Sequence, residues 1–367
     1  MAVRRLEIGA FGGPELIRVV EDAALPAPGP GEVRIRVEAS SLVFTDMLIR
    51  RNLYPVLKLT LPLTLGYDLI GRIDGVGPGV TRWRLGDRVA DLSQTGGNAT
   101  HVVRPAATLV PVPPGLEATR AEPLILSYLT AYQALFREAE AKPGDPVLVC
   151  GASGAVGLAA LDLCRAFGLP AVGVASARRE PAVTGLGAAF VAYDAAGAAG
   201  TLDRLSREHG GFKAILDAAR AEALSSVMAR LAPGGRLVAL GFSAAFRKAY
   251  RTGDASPGLF ARLRFAFDFL RIKALSLRSG ASRRVTFYDI SGRRTRHPQD
   301  FEDDLSALFS LLEAGRIAPR IQHVFGLEEA VEAHRLIESG QVEGRLVLDL
   351  ASPVGTDAER TRTGSAP

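Results

Sequence analysis

The sequence predicts an α/β protein of two domains, a β-rich one followed by a doubly wound parallel sheet. Its length of 367 residues exceeds what a single hydrophobic core usually supports. Short β-rich runs broken by Gly and Pro fill the chain to about Val110, and strands then alternate with helices from Asp145 to about Phe242. Hydrophobic residues make up 47% and charged residues 23%, ordinary values for a chain that buries a sizeable core.

In the first half, Glu32-Val33-Arg34-Ile35-Arg36-Val37 alternates with period two, as a half-buried strand does, and Pro26 to Gly31 is a turn-rich lead-in. After Pro111 to Gly115 the pattern changes, and Ala121 to Ala139 carries apolar residues at helical spacing. Strands are then expected at Pro146–Cys150, Ala171–Ala175, Phe190–Tyr193, Ala214–Asp217 and Arg236–Leu240. Helices are expected at Ala155–Phe167 and Ala221–Leu231. This alternation implies right-handed crossovers and a parallel sheet covered on both faces. The basic stretch from Ala244 to Arg296 breaks the pattern. Two amphipathic helices (Leu305–Glu313, Glu328–Glu338) and a strand, Arg345–Leu350, follow it and complete the first domain. The expected boundaries are 1–121 with 284–350 for the first domain and 122–283 for the second. The polar tail, 351–367, is expected to be disordered.

No leader-like segment is expected at Met1 to Val20, and no apolar run is long enough to cross a bilayer, so the cytosol is the default compartment. A net charge of +5 is weak support for nucleic-acid binding in a chain this long. Cys150 and Cys164 read as small core residues. The five histidines (His101, His209, His297, His323, His334) form no recognisable ligand pair and are read as surface or ordinary polar residues.

The chemistry begins at the turn after the first strand of the second domain. Gly151 follows a buried apolar run, and Ala152-x-Gly154-x-x-Gly157 opens a helix, with alanine in place of the usual first glycine. Such a turn lets the backbone approach a pyrophosphate at a helix N-terminus; small residues there also serve plain helix–strand packing. Where NAD-binding domains place Asp or Glu at the end of the second strand, this chain has Ser176-Ala177-Arg178-Arg179. Serine can donate to a phosphate and arginine can grip one, which favours NADP(H) over NAD(H). The alternative is an arginine pair on a solvated helix start.

These motifs, with Gly66 to Gly71, Gly75-Val76-Gly77, Gly86-Asp87-Arg88-Val89, Leu129-Thr130-Ala131-Tyr132 and Pro233 to Val238, resemble the medium-chain dehydrogenase/reductase superfamily. The resemblance covers nearly the whole chain to Leu350. It points to the zinc-free quinone oxidoreductase (zeta-crystallin) branch, and within it most to the vesicle amine transport protein subgroup. It implies a GroES-like β-rich catalytic domain plus a Rossmann domain, with the active site in the cleft between them, and a homodimer. Carried over by position, Tyr54 would line the nicotinamide and substrate cleft, Thr130 would contact the nicotinamide side, and Tyr288 would contact the cofactor. Ser153, Gly154, Ala155 and Val156 would meet the pyrophosphate; Ser176, Arg178, Arg179 and Tyr193 the 2′-phosphate; and Leu240, Gly241 and Phe242 the nicotinamide.

Zinc-dependent relatives carry Cys near the position of Phe44 and His within Gly66-Tyr67-Asp68, and both ligand types are missing, so no metal is expected. Hydride addition to an already electrophilic enone, alkenal or quinone needs less activation than alcohol oxidation. Candidate acids are Tyr54, Tyr67 and Tyr128, with Asp46 ordering one of them. The alternatives are that Tyr67 fills the vacant metal position, Tyr128 packs a domain junction, and Asp46 caps a helix starting near Met47. Val43, where relatives carry Asn, and Arg220 suggest a changed substrate or weakened activity. The aromatic and arginine-rich run Leu259–Arg271 reads as a cleft cover or dimer interface, or as a peripheral membrane helix. The expected activity is NADPH-dependent reduction of a quinone, enone or alkenal. Its rival is a catalytically weak NADPH-binding scaffold held to a membrane or partner.

Overall fold

The strand-forming runs pair into three sheets in a computed structural model, which describes residues 2–54, 59–219, 224–240 and 285–351, and Phe267, Leu270 and Ala274 singly. The chain divides into two compact units, Met1–Ile125 with Ile321–Pro367, and Leu126–Arg320.

In the first unit, Glu32–Leu42 is the organising strand. Its alternation buries Val33, Ile35 and Val37 in a core with Leu69, Ile73, Trp83, Val89 and Val102. It pairs antiparallel with Leu69–Val76, His101–Pro105 and the late strand Arg345–Asp349, which aligns Leu346 with Leu42 and Asp349 with Ala39. Ile321–Phe325 then adds in parallel to the late strand. Val3–Ile8 forms a separate small sheet with Ile17–Asp22 and Leu63–Thr64. The helix Phe44–Arg50 starts directly after the organising strand and packs against the helix Ala330–Ser339.

The second unit is built on a six-stranded, all-parallel sheet. Its order is Ala189–Ala192, Ala171–Ala175, Val147–Cys150, Phe212–Asp217, Leu231–Ala239, Val285–Phe287. Numbered along the chain, that order is 3-2-1-4-5-6, the doubly wound arrangement whose strand order reverses beside the first strand. Leu148, Val172, Val174, Ile215 and Leu237 are buried in its core. The helix Ala155–Phe167 and the strand Ala171–Ala175 begin and end where their sequence patterns predict.

Two expectations change. The sequence places the return to the first unit at residue 284, yet Val285–Phe287 pairs with Leu237–Ala239 as the sixth strand, and the chain crosses back only after Arg320. Pro298–Glu313 therefore belongs to the second unit. The helical run after Ala118 is also less regular than its periodicity suggests: π-helical turns at Leu124–Tyr128 and Gln133–Glu138 flank an α turn at Leu129–Tyr132. Such turns are rare and recur at functional sites. The expected helix Ala221–Leu231 is described from Leu224 to Ala229. Most of the basic stretch and the tail after Ala351 lie outside the described residues.

Candidate functional site

In the second unit the glycine-rich turn after the first strand is made by Gly151 and not by Ala152. Gly151 has φ +84°, a conformation that glycine adopts without penalty, and both its amide and that of Ala152 donate to the Val174 carbonyl at 3.0 Å. Ala152 is fully buried, so the alanine in the first fingerprint position is a packing residue and the tight turn is kept one residue earlier. Gly157 cannot be larger: a Cβ there would lie 2.3 Å from the Gly151 carbonyl oxygen. The first helical turn, from Ala155, thus starts hard against the end of the first strand. Ser153, Gly154 and Val156 sit at the same N-terminus.

At the end of the next strand, Ser176 is half-buried and opens a short 3₁₀ turn, Ala177–Arg179, without capping it through its side chain. Arg178 is exposed and Arg179 half-buried, and Tyr193 is 53% exposed, its amide tied to the Ala175 carbonyl at 3.0 Å. Asp194, which the sequence reading passed over, accepts the Ala177 amide at 3.0 Å and so fixes this turn.

Beyond the fifth and sixth strands the Tyr288 amide donates to the Ala239 carbonyl and the Leu240 amide to the Asp217 carbonyl, both at 3.0 Å. This binds together the carboxyl edge of the sheet, where open α/β domains hold ligands. Tyr288 is buried, and its phenol donates to Gln133 Oε1 at 2.7 Å. Burial pushes its pKa well up. Gly241 and Phe242 lie outside the described residues.

In the first unit, Tyr54 and Tyr67 are brought together. Their hydroxyls are 3.0 Å apart and their rings meet edge to face at 6.3 Å. Tyr67 is buried and Tyr54 half-buried. Asp46 is fully buried, with one carboxylate oxygen accepting the Val43 amide at 3.0 Å and the other the Gly66 amide at 3.2 Å. It therefore closes the start of the helix Phe44–Arg50 from its third residue, and it ties the residue before Tyr67 to that helix. Burial pushes its carboxyl up to about 7, although the Val43 amide pulls it down.

Behind Tyr67 stands a buried charge cluster that the sequence reading missed. Arg345 donates to Asp68 at 2.9 Å and to both oxygens of Glu122, and all three side chains are at most 3% exposed. Burial works against the charge on Arg345, but Glu122 and Asp68 outweigh it and keep it protonated. Glu122 is pushed well above the usual carboxylate range by burial, with Arg345 opposing and Asp68 adding to the shift.

Two expectations fail at this level. Tyr128 is not placed as an acid: it is buried in the second unit and donates to Asp162 at 2.7 Å. Burial first, then the Asp162 charge, raises its pKa far out of a useful range. Asp162 also accepts from Arg165 and the Ala318 amide, so Tyr128 belongs to an internal hydrogen-bond network. His334 is not a surface residue: it is fully buried with neither ring nitrogen hydrogen-bonded, and burial, then Arg50, lowers its pKa to about 3.

Residues 29–114 match the family model for the alcohol dehydrogenase GroES-like domain, and residues 186–348 match one described as zinc-binding dehydrogenase. The rat synaptic vesicle membrane protein VAT-1 homolog is 30% identical over 94% of this chain and 84% of its own length. The chain belongs to the medium-chain dehydrogenase/reductase superfamily. Within this superfamily it falls in the branch of the quinone oxidoreductases and VAT-1 homologues, and it is an oxidoreductase of that type with a GroES-like and a Rossmann-like domain. Rat quinone oxidoreductase is 29% identical, covering 94% of this chain and 97% of its own. The solved structure of a mycobacterial quinone oxidoreductase superposes with a TM-score of 0.74 at 27% identity, over 95% of this chain and 99% of that one.

Proposed function

We propose that this chain reduces a quinone, enone or alkenal by hydride transfer from NADPH, without zinc. The observation that carries the reading is the nucleotide turn at Gly151 and Gly157, combined with Ser176, Arg178 and Arg179 where an acidic residue would select NAD. The first-turn backbone of Ser153, Gly154, Ala155 and Val156 would receive the pyrophosphate, where the helix N-terminus favours negative charge. Ser176, Arg178, Arg179 and Tyr193 would hold the 2′-phosphate, and Thr130, Tyr288 and Leu240 would border the nicotinamide. NADPH, when bound, supplies the hydride. The Tyr54 and Tyr67 hydroxyls, 3.0 Å apart, would be the proton donors met by the acceptor's oxygen as it gains negative charge.

The zinc in the family model's description does not fit these residues. Phe44 offers no donor atom, the Tyr67 hydroxyl is bonded to Tyr54, and any cation beside Asp68 would face the Arg345 guanidinium. Among the described residues, no group of three or more His, Cys, Asp or Glu is placed to share a metal ion. Stopped-flow oxidation of NADPH against a panel of quinones and enones, run with and without chelator, tests this reading. Turnover that survives chelation and falls about 10–100-fold in Tyr54→Phe is expected. NADPH that is oxidised by no acceptor sinks it.

One observation favours a second reading, an NADPH-binding scaffold at a membrane: the 30% identical rat relative is named a synaptic vesicle membrane protein. No helix among the described residues is long and apolar enough to cross a membrane, so such an association would be peripheral. Val43 is buried, and Arg220 and most of the basic stretch lie outside the described residues. Tight NADPH binding with liposome co-sedimentation and no turnover would select this alternative.

A further inference from the structure

Ser176 stands where a helix-capping serine would stand, and it does not cap. It precedes the 3₁₀ turn Ala177–Arg179 with the extended dihedrals of an N-cap residue (φ −70°, ψ 151°), yet its hydroxyl makes no bond to the amides of the turn. A serine in that place ordinarily spends its oxygen on one of those amides, and a spent oxygen is a poorer ligand for anything else. The turn takes its side-chain acceptor from elsewhere. Asp194 Oδ1 accepts the Ala177 amide at 3.0 Å, and the Arg179 amide closes on the Ser176 carbonyl at 2.9 Å. Asp194 reaches the turn because the second and third strands of the parallel sheet run with Ala175 beside Ala192, and the Tyr193 amide extends that ladder to the Ala175 carbonyl at 3.0 Å. The residue that follows Tyr193 is thereby set beside the start of the turn that follows the second strand.

We propose that Asp194 is a positioning residue for recognition of the 2′-phosphate of NADPH: by holding the Ala177 amide it fixes the turn and leaves the Ser176 hydroxyl to the phosphate. The inference rests on the cofactor reading above. An acidic side chain near a phosphate also repels it, so the sign of the effect has to be decided. Asp194 is exposed, and its charge is screened by solvent. Arg178 and Arg179, on the turn that it fixes, outnumber it. Its place also differs from that of the acid that selects NAD(H), which ends the second strand and takes the ribose hydroxyl. Asp194 follows the third strand and spends one oxygen on a backbone amide. The local bond, which sets where Ser176 and both arginines start from, therefore outweighs the screened repulsion.

Calorimetric titration of the full chain with NADPH and NADH, which differ only in the 2′-phosphate, tests the proposal. The unsubstituted chain should prefer NADPH by about 10-fold or more. Asp194→Ala lets the Ser176 hydroxyl turn back onto the turn, and should weaken NADPH about 5–10-fold while NADH stays within about 2-fold. Asp194→Asn keeps an acceptor oxygen for the Ala177 amide and loses the charge, so the preference for NADPH should be kept or raised. Ser176→Ala should weaken NADPH by about 5–10-fold in the unsubstituted chain but by no more than about 2-fold beside Asp194→Ala, because the hydroxyl is then already withdrawn. The unchanged NADH affinity shows that each variant is folded. A preference that Asp194→Ala leaves intact or raises, a loss in Asp194→Asn equal to that in Asp194→Ala, additive losses in the double variant, or NADH affinity that falls in step with that for NADPH overturns the proposal while the cofactor reading stands. An unsubstituted chain that binds NADH as tightly as NADPH overturns both.

Discussion

The two units each bury a polar network next to a proposed contact, and they build it from opposite materials. In the first, one guanidinium, Arg345, holds Asp68 and Glu122 with Asp46 near by, so the cluster's charge depends on how many protons its carboxyls carry. In the second, the Gln133 side-chain amide and the Tyr288 hydroxyl lie in series from Asp304, itself paired with Arg137, and donor and acceptor capacity allows one orientation. The comparison teaches that burial alone does not decide how a network behaves. A charged cluster responds to pH, whereas a chain of neutral groups anchored at one ion pair is set by geometry.

Removing the central cation should produce the largest effect. Arg345→Met leaves buried carboxyls without their counter-charge, and urea unfolding should report a loss of about 3–5 kcal/mol. A loss below about 1 kcal/mol would mean that the cluster is not held by its ion pairs.

The pH dependence comes next, and its sign separates two buried groups of the same unit. Asp46 titrates near 7 in the fold against an ordinary 3.8, so the stability it lends is complete below about pH 4 and lost as pH rises to 7. Relative to the unsubstituted chain, Asp46→Asn should therefore gain about 1.4 kcal/mol per pH unit across that window as pH rises. His334 titrates near 3 in the fold against an ordinary 6.5, so its contribution is complete above 6.5 and lost as pH falls toward 3. His334→Leu should gain with the same slope in the opposite direction, read from thermal unfolding across buffers.

Smaller effects belong to the second unit. Gln133→Leu leaves Asp304 and Tyr288 each short of one partner and should cost about 1–3 kcal/mol, by an amount that stays constant between about pH 5 and pH 8. A pH-dependent cost would erase the contrast between the networks. Tyr128→Phe removes one bond to Asp162, which keeps Arg165 and the Ala318 amide, so about 1 kcal/mol of stability and no change in hydride-transfer rate are expected.

Much of this was legible in the sequence wherever the signal is local. The helix Ala155–Phe167 follows from its apolar spacing and its glycines, and the strand Glu32–Leu42 from alternation. The strand Val285–Phe287 was not legible: it has three residues, follows a basic stretch, and is a strand because Leu237–Ala239 offers it an open edge. Tyr54, Tyr67 and Asp46 are legible as candidates, and the capping reading of Asp46 comes close to its hold on the Val43 amide, but nothing local signals that the two hydroxyls meet or that Asp46 also takes the Gly66 amide. Nothing local to Asp162 signals that it accepts the Tyr128 phenol.

By itself the sequence determined the two-domain class and the glycine-rich turn between the first strand and helix of the second unit, because helix periodicity, strand alternation and glycine-dependent turns act over a few neighbouring residues. Tertiary structure alone decided which polar groups are partners. Arg345 and Glu122 are separated by 223 positions, and Tyr288 and Gln133 by 155, and nothing local to either residue names its mate. Each pair is enforced by the cost of leaving a buried donor or acceptor unmatched, and that cost exists only once the chain has folded around it.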